Sequence, residues 1–160
     1  MIDYVPTINS TKNPSWTGRN KTIASYVTDN TNIIDLGCGS KDLLNYIKPS
    51  TYLGIDYNQP LADLEINFNE DFQLPSGNWD YLVSSGLLEY LFDLELFFSK
   101  IKQNSKHYIF TYWEIAHKAK AIKNPKVQHI DVVKDLISQN FIVTKTTKYR
   151  EHIIFVCIDK

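Results

Sequence analysis

A chain of 160 residues with 43% hydrophobic and 22% charged residues has the composition of one globular domain, which excludes intrinsic disorder, collagen-like repeats and a long coiled coil. The formal net charge of -1 gives no general attraction to nucleic acid. No signal-peptide pattern and no stretch of roughly 18 apolar residues is present, which predicts a cytoplasmic protein without a membrane partner. Two cysteines, Cys38 and Cys157, are predicted to be reduced thiols, and no Cys/His spacing predicts a metal site.

Predicted helices and strands alternate along the chain, as is typical of an α/β domain. After a lead segment at residues 1–16, helices are predicted at 17–30, 42–50, 87–104 and 127–140. Strands are predicted at 31–37, 51–58, 62–66, 78–86, 107–113, 141–150 and 152–159. The last two strands are separated by so little chain that they must pair as an antiparallel hairpin. The expected fold of residues 1–160 is one domain, a three-layer α/β sandwich with a largely parallel sheet of seven strands, or six if the weak third strand is absent.

The strongest motif lies where the first predicted strand ends. A buried strand runs directly into Gly37-Cys38-Gly39, and glycine lets a ligand approach the backbone closely. Asp56 closes the next strand about 20 residues later, the spacing at which a carboxylate accepts both hydroxyls of a ribose. Together these features predict an adenosine-containing cofactor at the carboxyl edge of the sheet.

The same turn separates two classes of adenosine cofactor. A dinucleotide fingerprint requires a third glycine where this chain has Asp42, and that carboxylate would repel a phosphate. Asp35, at the head of the turn, also suits a cationic ligand better than an anionic one. The turn therefore favours S-adenosylmethionine over a dinucleotide.

The segments DLGCG, YLGID, WDYLVSSGLLEYL and QNFIVT resemble class I S-adenosylmethionine-dependent methyltransferases, and the resemblance covers about residues 19 to 158. It implies a Rossmann-like fold and S-adenosylmethionine as cofactor. It also implies roles for a set of cofactor-binding residues: Asp35, Gly37, Cys38 and Gly39 at the turn; Asp56 at the ribose and Tyr57 against the adenine; Asp63 with Leu64 beside the adenine amino group; Ser84, Ser85 and Gly86 facing the methionine amino group; and Arg19 at the cofactor carboxylate.

Two features depart from the family pattern. Lys41 stands where a third glycine is frequent, and the helix between the second and third strands is reduced or missing. A missing helix leaves one face of the sheet less covered, which favours a partner subunit or a homo-oligomer. A solvated Arg19 at the start of a helix is an alternative to the cofactor role.

Residues that serve the methyl acceptor are expected at the carboxyl ends of the fourth and fifth strands. Glu114 or His117 is a candidate general base, and Tyr112 is a candidate for orienting the acceptor, although strand-end packing explains the same residues. The loop that follows is basic, which predicts an anionic small-molecule acceptor such as a sugar nucleotide or a polysaccharide precursor. Its lysines are Lys118, Lys120, Lys123 and Lys126. Solvated loop lysines are the alternative, and O- and N-methylation are not distinguished.

Two other functions remain open. A nucleic-acid methyltransferase is less favoured, because the chain has no recognition domain and no N/D-P-P-Y motif. A non-catalytic, methyltransferase-like binding subunit would keep the same fold and is not excluded by any residue.

Overall fold

The computed structural model describes residues 14–57, 59–119, 122 and 124–160. Most of the predicted lead segment at 1–16 lies outside the described residues, as do Lys120 and Lys123 of the predicted basic loop. In the described ranges the α-helices are α1 (Pro14–Ala24), α2 (Leu94–Ile101) and α3 (Ile130–Asn140). None of the helices in these ranges is long and apolar enough to cross a membrane.

Seven strands form one sheet. They are β1 (Asn32–Leu36), β2 (Thr51–Asp56), β3 (Leu64–Glu65), β4 (Trp79–Ser84), β5 (Ser105–Trp113), β6 (Phe141–Tyr149) and β7 (His152–Asp159). Their order is β3-β2-β1-β4-β5-β7-β6, with β1 to β5 parallel and β7 antiparallel between β5 and β6. The predicted sandwich with a largely parallel sheet and an antiparallel C-terminal hairpin is confirmed, and the strand number is seven.

Alternation of strand side chains gives the sheet two apolar faces, because successive residues point to opposite sides. Ile33 belongs to the face under α1, where it packs with Ile23, and Ile34 belongs to the face under α2 and α3. Phe98 and Ile137 of those helices are fully buried there. Each such side chain contributes about 1.5–3 kcal/mol when it leaves water, so both layers are needed to hold the sheet.

The helix predicted to be reduced between β2 and β3 is absent from the described residues 57 and 59–63. The helix predicted at 42–50 shrinks to a 3-10 turn, Asp42–Asn45. After β3, Phe68 and Phe72 cover the sheet without forming a helix, and Phe68 packs edge-to-face on Phe97 with ring centroids 5.9 Å apart. Loops and a short turn therefore replace helices on this half of the sheet.

The single helix predicted over 87–104 is divided. A 3-10 turn, Leu88–Tyr90, is followed by a break, and α2 begins only after Asp93, whose carboxylate accepts the Leu96 N–H at 2.9 Å. The Asn69 side chain holds the break open, because it accepts the Phe92 N–H at 2.7 Å and donates to the Tyr90 carbonyl. A tertiary contact has replaced continuous helical bonding here.

Candidate functional site

The turn after β1 is held against β2 and remains open at one glycine. Gly37 (φ 74) and Gly39 (φ 52) adopt left-handed backbone, and the N–H groups of Gly37 and Cys38 both donate to the Ile55 carbonyl, at 2.8 and 3.1 Å. A Cβ at Gly37 would lie 2.9 Å from Leu87 Cβ, whereas a Cβ at Gly39 would have no atom within 4 Å. The backbone is therefore packed at Gly37 and accessible to a ligand at Gly39.

Asp56 points at this turn. Its Oδ2 accepts the Gly39 N–H at 2.7 Å, and its Oδ1 accepts the Tyr57 N–H at 2.6 Å. Burial raises the pKa of Asp56, and the two backbone N–H groups oppose that shift. Each oxygen keeps a second lone pair, so the carboxylate can accept ligand hydroxyls without losing the turn. Tyr57, next to it, is 41% exposed.

Asp35 is buried beside the turn and is half satisfied. Its Oδ2 accepts the Tyr52 hydroxyl at 2.6 Å, and its Oδ1 has no partner among the described residues. Burial raises the pKa of Asp35 to about 6; the Tyr52 hydrogen bond and Arg19 oppose the rise, and Asp56 adds to it. A buried carboxylate with an unpartnered oxygen is costly for the fold and suits a cationic ligand.

This cost gives a stability prediction. A raised pKa means that the folded state holds the proton more tightly than the unfolded state. Stability is therefore lost as the pH rises from the unfolded pKa of 3.8 to about 6, and the full loss is present at higher pH. Asp35→Asn should therefore increase the free energy of unfolding of the ligand-free protein by about 3 kcal/mol at pH 7. Urea denaturation should show that gain at pH 7 and its loss near pH 3.5. An equal gain at both pH values would contradict the prediction.

Arg19 enters the site from α1. It is 7% exposed, and its guanidinium lies on Gly86, where a Cβ would be 2.8 Å from Nη1. Burial lowers the pKa of Arg19, and the carboxylates of Glu89 and Asp35 oppose that shift. Its Nε has no partner among the described residues. Arg19 is thus buried next to Gly86 and not solvated, and its cofactor role stays a prediction.

The end of β4 closes the floor of the site. Ser84 is fully buried, and its Oγ has no partner among the described residues. Ser85 Oγ lies 3.4 Å from the Asn20 side-chain oxygen, and the Gly86 N–H donates to Thr111 Oγ1 at 2.9 Å. The predicted segment 84–86 therefore lies at the carboxyl edge together with Asp35 and Arg19.

Sequence reasoning missed Glu89 and His152. Glu89 is 3% exposed; its Oε1 accepts the Trp113 N–H at 2.6 Å, its Oε2 has no partner among the described residues, and burial raises its pKa. The His152 ring stacks on Trp113 at 6.4 Å, and burial and Arg19 lower the pKa of His152 to about 4. The available signals were an acid inside the apolar run LLEYL and a histidine that opens an apolar strand.

The structure does not bring Asp63 to the carboxyl edge. The register pairs Asp56 with Glu65, so Asp63 lies before β3 and opposite the middle of β2. Its carboxylate accepts the Gly54 N–H at 2.8 Å and pairs with Lys41 Nζ at 2.5 Å. The predicted adenine contact by Asp63 is therefore corrected. Leu64, which pairs with Ile55, is 37% exposed at this edge.

Of the three predicted catalytic residues, Tyr112 is turned into the core and Glu114 is held in an ion pair. Tyr112 is fully buried on the α2 and α3 face, where strand alternation places it with Phe110, and its hydroxyl donates to the Gln128 carbonyl at 2.5 Å. Glu114 is turned toward β6, where it pairs with Lys148 at 2.5 Å. The Tyr112 hydroxyl is not available to an acceptor, so that assignment is corrected. The Glu114 carboxylate is 33% exposed and is engaged through one oxygen, so its role as a base stays a prediction.

His117 lies in a short 3-10 helix after β5, Ala116–Lys118, and its ring is in edge contact with that of His129, with the ring centroids 4.6 Å apart. Partial burial and the His129 imidazole hold the pKa of His117 below its usual range. Its Nδ1 has no partner among the described residues. The His117 imidazole can therefore accept a proton through Nδ1 and stays a candidate general base. Lys118, the next residue, is exposed.

The charges around the turn test which ligand fits. The carboxyl groups of Asp35 and Glu89 lie near the Arg19 guanidinium and that of Asp56 lies near Asp35, so the described site holds three acids and one guanidinium. A pyrophosphate would be repelled there, whereas a sulfonium with an ammonium and one carboxylate has the complementary charge. The unpartnered Asp35 Oδ1 and Arg19 Nε match a zwitterionic amino acid group. In the described part of the chain, no cluster of three or more acids, histidines or cysteines could hold a metal.

Comparison of the sequence with protein-family models and with curated proteins gives no match. Solved structures are similar in fold. A SAM-dependent methyltransferase from Aquifex aeolicus has 14% identity and a TM-score of 0.69, with 94% of this chain and 95% of that chain covered. Magnesium protoporphyrin IX methyltransferase from Synechocystis PCC 6803, with bound SAH, has 9% identity and a TM-score of 0.66, with 98% of this chain and 89% of that chain covered. The N-methyltransferase NodS from Bradyrhizobium japonicum WM9 has 11% identity and a TM-score of 0.66, with 92% of this chain and 98% of that chain covered. The chain therefore has the class I, Rossmann-like fold of S-adenosylmethionine-dependent methyltransferases.

Proposed function

We propose that this protein is an S-adenosylmethionine-dependent methyltransferase that acts on a small-molecule acceptor. One observation carries the proposal: the glycine turn has open space at Gly39, and the Gly39 N–H donates to the Asp56 carboxylate at 2.7 Å. Acids outnumber bases among the site residues around this turn. The similarity to methyltransferases, one of them with bound SAH, supports the same cofactor.

Each wall of the site has a proposed role toward that cofactor. Asp56 accepts the ribose hydroxyls, Tyr57 lies against the adenine, and the backbone of residues 37–39 supports the methionine part. Asp35 binds the amino group, and Arg19 binds the carboxylate. The segment 84–86 supports the same amino acid group from β4.

The chemistry follows from what the bound cofactor supplies, an electrophilic methyl group on a sulfonium. The protein needs to hold the acceptor in line with that methyl group and to exclude water. His117 is the proposed proton acceptor, because a pKa below its usual range leaves the imidazole neutral at pH 7. His152, with a pKa of about 4, is too weak a base for that step, and we propose only that it lines the acceptor side next to Trp113. Glu89, bonded to the Trp113 N–H, fixes the end of β5 beside them.

We further propose an anionic acceptor, on the basis of the lysines after β5. Replacing Lys118, Lys120, Lys123 and Lys126 together with glutamine should raise the acceptor KM by about tenfold at low salt and by less at high salt, because the attraction is screened. The affinity for S-adenosylhomocysteine should stay unchanged. An acceptor KM that does not change in the quadruple variant would contradict the anionic class.

Calorimetry with S-adenosylmethionine and S-adenosylhomocysteine tests the proposal itself. We expect both to bind, and we expect S-adenosylhomocysteine to be released when a panel of phosphorylated and carboxylated small molecules is offered as acceptors. Failure of both ligands to bind would contradict the proposal. Tight binding without turnover of any acceptor would favour a binding subunit, a role that the exposed Tyr57, Leu61 and Leu64 at the β3 side would suit.

A further inference from the structure

We propose that Tyr52 is a positioning residue for the cofactor: its hydroxyl holds one oxygen of Asp35 so that the other oxygen faces the amino group of the bound methionine part. The inference rests on the proposed function, because it assigns a residue to that same site. Tyr52 lies four residues before Asp56 in β2 and does not belong to the glycine turn.

The packing of β2 explains how the ring reaches its target. Asp35 pairs with Gly54 in the β1–β2 register, so Tyr52 lies two residues back along the neighbouring strand. A Cβ at Gly54 would lie 3.1 Å from Tyr52 Cε1 and 2.9 Å from Cys38 Sγ. The glycine therefore leaves the space through which the Tyr52 hydroxyl reaches Asp35 Oδ2 at 2.6 Å.

Among the described residues, the Tyr52 hydroxyl is the group that donates a hydrogen bond to the Asp35 carboxylate. Asp35 is 3% exposed, its Oδ1 has no partner there, and burial and the adjacent carboxylate raise the pKa of Tyr52, which keeps the phenol protonated. Other titratable groups face Asp35 from three sides: Arg19 from α1, Asp56 from β2, and Cys38 in the turn. Of these, Arg19 favours the ionised carboxylate and Asp56 opposes it.

Loss of the hydroxyl should therefore make Asp35 harder to ionise. In wild type the pKa of Asp35 is about 6, and a lost hydrogen bond to a charged group should raise it by roughly one pH unit. A cationic amino group binds the ionised form, so cofactor affinity in Tyr52→Phe should begin to fall at a higher pH than in wild type. The fold should persist, because the ring and its packing are kept.

The test is calorimetric titration of full-length wild type and Y52F with S-adenosylhomocysteine between pH 5.5 and 8.5. The measured quantity is the ratio of the two dissociation constants at each pH, in which the titration of the ligand's own amino group cancels. We expect the ratio to be roughly eight times larger at pH 5.5 than at pH 8.5, and to stay above one at pH 8.5, where the remaining loss of affinity measures the positioning of the ionised carboxylate alone. Tyr81→Phe is the matched control, because Tyr81 lies on the same sheet face and its hydroxyl contacts Thr28 Oγ1 at 3.1 Å, away from Asp35.

Carbon-13 NMR of labelled aspartate carboxyls in the ligand-free protein gives a second readout. The resonance that disappears in Asp35→Asn should titrate at a higher pH in Y52F than in wild type. A ratio of dissociation constants that is the same at every pH, or an unchanged Asp35 titration, would overturn the inference. Failure of wild type to bind the ligand would instead overturn the proposed function, and the NMR titration would still test the Tyr52–Asp35 coupling.

Discussion

Asp56→Asn should lower the affinity for S-adenosylhomocysteine by about 100-fold. The substitution keeps the shape of the side chain but removes the charge that is proposed to accept the two ribose hydroxyls, and hydrogen bonds to charged groups contribute about 1.5–3 kcal/mol each. The amide oxygen can still accept the Gly39 N–H, which is bonded to Asp56 Oδ2 at 2.7 Å in wild type, while the amide NH2 replaces the oxygen that accepts the Tyr57 N–H. The turn should therefore survive with the loss of the Tyr57 bond. Calorimetry measures the affinity, and circular dichroism checks the fold.

Asp80→Asn is the matched control. Asp80, like Asp56, accepts a backbone N–H, that of Asn32 at 2.9 Å, but unlike Asp56 it forms an ion pair, with Lys106, and it lies at the opposite edge of the sheet. Its replacement should change stability and leave ligand affinity within about twofold. Equal losses of affinity in the two variants would mean that Asp56 acts through general stability and not through the ribose.

Alanine at Gly37 and at Gly39 should have different consequences, although both glycines have positive φ. At Gly37 the new Cβ would lie 2.9 Å from Leu87 Cβ, so backbone strain and a clash should together lower the free energy of unfolding by about 2–4 kcal/mol. At Gly39 the space is open, so only strain of about 1 kcal/mol is expected. The Gly39 methyl group should nevertheless weaken S-adenosylhomocysteine binding by at least about tenfold, because it occupies the surface on which the ligand lies.

Urea denaturation and calorimetry on the two variants separate these effects. Gly37→Ala should cost less stability in a Leu87→Gly background, which lacks the Cβ that would lie 2.9 Å from the new methyl group, and Leu87→Gly should not rescue binding in Gly39→Ala. Wild-type ligand affinity in Gly39→Ala would contradict the proposed position of the cofactor.

The glycine turn and the hairpin were predictable because each depends on local sequence. A buried strand followed by Gly37 and Gly39, with Asp56 closing the next strand, fixes a parallel pair and its loop. The short link at Arg150–Glu151 allows only an antiparallel connection between β6 and β7. These elements required no knowledge of distant contacts.

The misplacements arose where tertiary contacts set the register or the direction of a side chain. The resemblance assigns Asp63 to the adenine as the acid near the end of the third strand, but the pairing of Glu65 with Asp56 places Asp63 next to Gly54. Tyr112 was assigned from its place at a strand end, although period-two alternation with Phe110 turns it into the core.

Glu89 and His152 were missed for a related reason. An acid in an apolar run and a histidine at the start of a strand have no fixed partners in sequence, and only the strand order brings both to Trp113. Arg19 was ambiguous from sequence because a helix-start arginine is usually solvated. Its burial against Gly86 follows from the packing of α1 on the sheet.

A crystal structure of the complex with S-adenosylhomocysteine tests the central claim most directly. The predicted result is a ligand at the carboxyl edge, with both ribose hydroxyls on the Asp56 carboxylate, the amino acid part over Gly39, and the amino group on Asp35 Oδ1. A ligand bound elsewhere on the chain, or one whose ribose makes no contact with Asp56, would contradict it.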